Sequence, residues 1–99
     1  MNLKMFLLDD NRCLIGEESQ DKNYLNNAMF LIAVRENEGM LIPLPVGFPY
    51  YDGFVNVYID GIRNKIFTEL PVSKKMEDLY IQAKAKFSGI IIKKNVIVE

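Results

Sequence analysis

Reactive side chains are scarce in this sequence. It holds no histidine and one cysteine, Cys13, so the commonest general base is missing and no thiol–imidazole nucleophile can be assembled. The pairs Asp9-Asp10 and Glu17-Glu18 are adjacent in sequence. Neighbouring positions on a strand point to opposite faces, so neither pair makes a two-carboxylate site. There is no glycine-rich phosphate loop and no metal-ligand spacing. The expectation is a protein that is not an enzyme, with no catalytic residue, no metal and no cofactor. What remains is recognition chemistry. Tyr24 and Asn26 stand two residues apart behind a polar turn at 20–23. A loop tyrosine offers a stacking face and an asparagine amide a donor–acceptor edge; alternatively the pair caps a hairpin and holds a turn. Lys22 and Arg63 are cations available to an anion, or ordinary surface charge. Phe48, Tyr50 and Tyr51 share one Pro/Gly loop, either as a contact surface or as a cover over apolar core. Cys13, beside Leu14, reads most simply as a small buried residue.

The elements that must position these residues follow from length and pattern. The 99 residues fit one domain, 1–99. Apolar residues make up 49% of the chain, more than one small core needs, which points to a partner or to further copies of the chain. The net charge is -1 and the pI about 5.5, so no global basic signature of a nucleic-acid binder is present. The charge is unevenly placed: residues 1–60 carry four Lys/Arg against nine Asp/Glu, residues 61–99 eight against four. Such an acidic front and basic back suit head-to-tail association or two differently solvated surfaces. A lone cysteine makes a reducing, cytoplasmic setting the default. No signal peptide is expected. The longest uncharged run, 39–51, is too short to span a bilayer, so no membrane partner is expected.

Strands are expected at Leu3–Leu8, 12–18 and 24–34. Gly16 sits inside the second of these, where glycine marks a bend or a close backbone approach. Residues 28–34 are apolar at every position, so both faces of the third strand must be buried. Pro43 and Pro45 make 40–46 an edge or irregular strand. Further strands are expected at 54–59 and 62–70, with a turn at Asp60-Gly61. Ser73 caps a helix over 73–87 whose stripe is Met76, Leu79, Tyr80, Ala83 and Phe87, and Ser88-Gly89 stops it. A last β-rich segment covers 90–98, turned at Lys93-Lys94-Asn95. The pattern is mainly β: a small barrel or a strongly bent sheet, with a C-terminal helix.

The first three strands resemble those of Sm-like proteins, the ring-forming RNA-binding family that includes the Hfq branch. That family's first signature runs from a turn through an apolar residue and a glycine to an acidic loop ending aromatic–Met–Asn. Here Asn11, Leu14 and Gly16 keep the spacing, and Tyr24-Leu25-Asn26 matches the loop's end. Lys22 stands where the family has Asp, with Asp21 beside it. Ile59-Asp60-Gly61 is similar to the second signature, apolar–Arg–Gly, with Asp60 in the arginine's place and Arg63 nearby as a substitute. The helix follows the strands instead of preceding them, an arrangement similar to small Sm-like proteins carried by phages. The resemblance covers 3–34 and, more weakly, 55–70.

The resemblance implies a small, strongly bent five-stranded barrel, here with a C-terminal helix, whose fourth strand pairs with the fifth of the next copy, closing a ring of five to seven copies. It implies single-stranded RNA as ligand, with Tyr24 stacking on a base, Asn26 bonding a base edge, and Lys22 or Arg63 at a phosphate or base. The alternative is an oligomeric scaffold or protein-interaction module that keeps the barrel without RNA binding. The acidic pI, Lys22 and Asp60 favour that alternative.

Overall fold

The computed structural model describes residues 2–45, 53–86 and 90–93. The opening apolar run forms β1 (Leu3–Leu8), and Asn11, in left-handed backbone at φ 70°, turns it into β2 (Cys13–Glu18). β3 spans Tyr24–Arg35, and a second left-handed asparagine, Asn37, leads into β4 (Glu38–Pro43). Asparagine tolerates this conformation better than most residues, which is why it recurs at the turns. β5 is only Val57–Tyr58; a 3-10 helix over Ile59–Lys65 joins it to β6 (Ile66–Leu70). Helix α1 (Lys74–Lys86) and β7 (Ile90–Lys93) complete the chain order. Every pairing is antiparallel, in the order β6-β1-β2-β3-β4-β7, with β5 added along the first part of β3. The outermost strands β6 and β7 do not pair with each other, so the sheet is open.

The position of the candidate residues is set by a bend in β3. The register with β2 shifts between Ile15 and Glu17, leaving one extra residue on β3. Asn27 takes φ 54° there, the local kink a β-bulge produces. Gly16 makes the bend possible: a Cβ on it would lie 3.0 Å from the Asn26 carbonyl oxygen and 3.0 Å from the Leu25 Cβ. Past the bend β3 pairs with β4; before it, with β5. The chain between those two partners closes at Ala28, whose N–H donates to the Val55 carbonyl (2.9 Å) and whose carbonyl accepts from the Leu44 N–H (3.1 Å). β4 and β5 thus flank successive parts of β3.

Both faces of the sheet carry core at the start of the all-apolar run in β3, but Ala33 and Val34, expected to be buried, are exposed, because β3 outruns β2, whose pairing ends at Leu31. Met5, Ile15, Met29 and Leu41 pack under Tyr80 and Ala83 of α1. On the other face Leu8, Leu14, Leu25 and Ala28 pack with Ile59 and the half-buried Ile62. Residues 14 and 15 and residues 28 and 29 thus divide between the faces, as strand alternation dictates. The helix is capped as expected: the Met76 N–H donates to Ser73 Oγ at 3.1 Å.

Three further expectations change, beside the seven strands found in an open sheet where five were expected in a barrel. The strand expected at 54–59 reduces to Val57–Tyr58, the Asp60-Gly61 turn lies within the 3-10 helix, and the strand expected at 62–70 begins at Ile66. The pattern at 62–70 alternates, but Ile59 and Ile62 are three apart, and that period puts both on one face of a 3-10 helix. The Phe48, Tyr50 and Tyr51 loop, Ser88-Gly89 and residues 94–98 lie outside the described residues. Residues 90–93 pair with β4 of their own chain.

Candidate functional site

The loop before β3 is tightly organised by its own side chains. Ser19 Oγ donates to Asp21 Oδ1 (2.7 Å) and accepts from the Tyr24 N–H (3.0 Å), while Asp21 Oδ1 also accepts from the Asn23 N–H (3.0 Å). These bonds, that from Ser19 foremost, hold the Asp21 carboxyl below its ordinary value. Lys22 occupies left-handed backbone at φ 64°, and its side chain is exposed without an ion-pair partner among the described residues. Asp21, one residue earlier, clamps the loop.

Tyr24 emerges from this loop at the first position of β3, 40% exposed. Its cross-strand partner is Tyr58, itself 49% exposed. The two ring centroids are 5.4 Å apart with planes inclined at 49°, a tilted aromatic contact. Leu25 and Val57 pair next and turn inward to the core. Asn26 therefore shares the outer face with Tyr24 by alternation. It is half-buried and has no side-chain hydrogen bond among the described residues. Asn56, just before β5, accepts from the Asn27 N–H through Oδ1 at 3.2 Å. The Ile59 N–H donates to the Asn23 carbonyl (2.9 Å), tying the 3-10 helix to the loop.

The two segments that carried the resemblance, 22–26 and 59–61, are therefore neighbours in space. Tyr24 and Asn26 share one face of β3, and Lys22 lies in the exposed loop just before that strand. Arg63 lies on the adjoining 3-10 helix, but its guanidinium is held by Asp60 (Nη2–Oδ1 2.7 Å, Nε–Oδ1 2.8 Å). No hydrogen bond or ion pair joins it to Lys22, Tyr24 or Asn26. Tyr58 and Asn56 did not emerge as site residues from the sequence. The signal was present: Asn56-Val57-Tyr58 alternates polar, apolar, aromatic, as Tyr24-Leu25-Asn26 does in reverse.

A second polar cluster docks the helix. Glu17 Oε2 accepts from Lys84 Nζ (2.6 Å), Asn27 Nδ2 (3.0 Å) and the Tyr80 hydroxyl (3.0 Å), and that hydroxyl also reaches the Asn27 carbonyl at 2.8 Å. Burial works to raise the Glu17 carboxyl, yet these three hydrogen bonds together outweigh it and hold it low. Burial first, then the Glu17 charge, pushes the Tyr80 hydroxyl up. With every member partnered, the cluster fastens α1 to the sheet. Cys13 is half-buried, and burial raises its thiol. No group of acidic, cysteine or histidine side chains suited to a metal ion occurs among the described residues. No helix among them is long and apolar enough to cross a membrane. The chain matches no family model, and no curated protein or solved structure is significantly similar to it.

Proposed function

We propose that this chain is an Sm-like, cytoplasmic, non-enzymatic protein that binds single-stranded RNA through the rim of Tyr24, Tyr58 and Asn26. The observation that supports this reading best is the exposed Tyr24–Tyr58 pair, which lies where the two motif-bearing segments meet. Tyr24 and Tyr58 offer aromatic faces to unpaired bases, and Asn26 an unengaged amide to a base edge. Lys22 is the cation for a phosphate. Arg63 contributes less, since Asp60 already takes its charge. The barrel of the family is approached here by an open sheet in which the 3-10 helix joins β5 to β6. The homo-oligomeric ring then forms through β6 and β7, because the outer edge of β4 is covered by β7.

The test is fluorescence anisotropy with labelled single-stranded oligoribonucleotides across a salt series. Binding should weaken steeply with salt, through counterion release. Tyr24→Ala and Tyr58→Ala should each weaken it about tenfold, as loss of one stacked base does, with circular dichroism unchanged. Absence of binding at low salt would leave the second reading, an oligomeric scaffold or protein-interaction module. The Asp60–Arg63 ion pair is what favours that reading, since it neutralises the nearest arginine.

A further inference from the structure

Among the described residues, the face of the sheet that the 3-10 helix covers is not completely filled. A cavity of about 230 Å³ opens between β1, β2, β3, β5 and the 3-10 helix. Its walls are Leu8, Leu14, Phe30, Leu44, Val57 and Ile62, and its remaining lining residues are two cations, Arg12 and Lys65. The Arg12 guanidinium lies over the Phe30 ring, 4.3 Å from its centroid. Asp10 holds it there through Nη2 (2.6 Å) and Nε (2.7 Å). The Lys65 carbonyl is fixed by the Asp9 N–H at 2.9 Å, and its ammonium has no carboxylate partner among the described residues. Val57 faces this cavity while Tyr58, its neighbour, faces outward, so the space is separated from the aromatic rim by the thickness of β5.

An apolar cavity of this kind gains nothing from water, which needs several polar partners to stay in it. It favours an apolar body, and the lining cations favour a negative end. At roughly 30 Å³ per heavy atom, the share of a water in the liquid, the cavity accommodates about eight heavy atoms. We infer that this cavity binds a small amphipathic carboxylate, with its hydrocarbon body against Leu14, Phe30 and Val57 and its carboxylate at Lys65, beside Arg12. Lys65 carries the unshared charge; Arg12, already balanced by Asp10, supplies a flat wall and a secondary donor. The site does not depend on the RNA-binding reading and would persist if that reading failed.

The experiment is a titration of the full chain with hexanoate, whose eight heavy atoms match the cavity, followed by carbon-13 methyl NMR, with 1-hexanol as the neutral comparison. Saturable one-to-one shifts confined to methyls of Leu8, Leu14, Leu44, Val57 and Ile62 are expected. Hexanol, and hexanoate on Lys65→Met, should each bind about tenfold more weakly, the loss of one charge-assisted hydrogen bond. Val57→Phe should abolish the shifts by filling the space; should that variant not fold, Lys65→Met still decides. Unmoved methyls, or hexanol binding as tightly as hexanoate, would overturn the inference. So would strong contacts in the free protein between these methyls and aromatic protons other than those of Phe6 and Phe30, since the space would then be filled from within the chain.

Discussion

Gly16 is the residue on which the geometry of the rim turns. Any side chain there meets the Asn26 carbonyl and the Leu25 Cβ at 3.0 Å, both on strands that cannot shift independently. Gly16→Ala should therefore destabilise the fold by about 1–3 kcal/mol, the usual cost of overpacking, read as a lower urea midpoint at unchanged slope. Tyr80 makes a different kind of demand. Tyr80→Phe keeps the ring in the core but removes the one proton that the half-buried Asn27 carbonyl and Glu17 share, and should cost about 1–3 kcal/mol by the same measurement. Gly16 was legible in the sequence as a bend or close approach, because only backbone contact calls for glycine within such a strand. Tyr80 was legible only as part of an apolar stripe. Its hydroxyl partners lie 63 and 53 residues away, and no local pattern announces a contact of that range.

At the scale of the element, α1 depends on a cap at one end and a carboxylate at the other. Ser73→Ala should cost about 1 kcal/mol through loss of the bond to the Met76 N–H, seen as a lower melting temperature. The Glu17 cluster adds a pH dependence with a definite sign. The folded state holds the Glu17 carboxyl below its ordinary value of 4.5, so the unfolded chain binds its proton more readily. The stabilisation is complete above that ordinary value and is lost as pH falls through the lowered one. Urea midpoints measured downward from pH 6 should fall for the native chain and fall less for Glu17→Gln, which no longer titrates there. The helix and its cap could be read from the chain because helix signals are local. The 3-10 helix could not, because Ile62, Ile66 and Leu70 satisfy strand alternation while Ile59 and Ile62 satisfy a three-residue period. Only the burial of Ile59 against Leu8, Leu14 and Leu25 decides between them. The short β5, and with it Tyr58, was hidden for the same reason.

At the scale of the whole molecule the surplus of apolar residues finds two outlets. Part of it is used within the chain, since α1 covers one face of the sheet and the 3-10 helix covers much of the other. The rest is at the margins. β6 is an outer strand, and its Phe67 is 74% exposed, the highest value among the exposed large hydrophobic side chains described. An outer strand leaves a row of backbone donors and acceptors unpaired, and chains usually guard such edges with charge, proline or a bulge. Here a register shift between Leu7 and Leu8 and the flanking Lys65 and Pro71 guard it in part, yet Phe67 stands in the open between them. If copies assemble through β6, Phe67 is buried in the joint and a charge in its place cannot be accommodated. Light scattering on a sizing column should then give the native chain a mass of several copies that does not change with concentration, and Phe67→Lys a mass of one copy with the same circular dichroism. A lysine on a free edge costs a folded monomer almost nothing, so the two chains differ only if the edge is used. A native chain that is already monomeric would remove the ring from the proposed function and leave the aromatic rim, tested separately by RNA titration, to stand or fall alone.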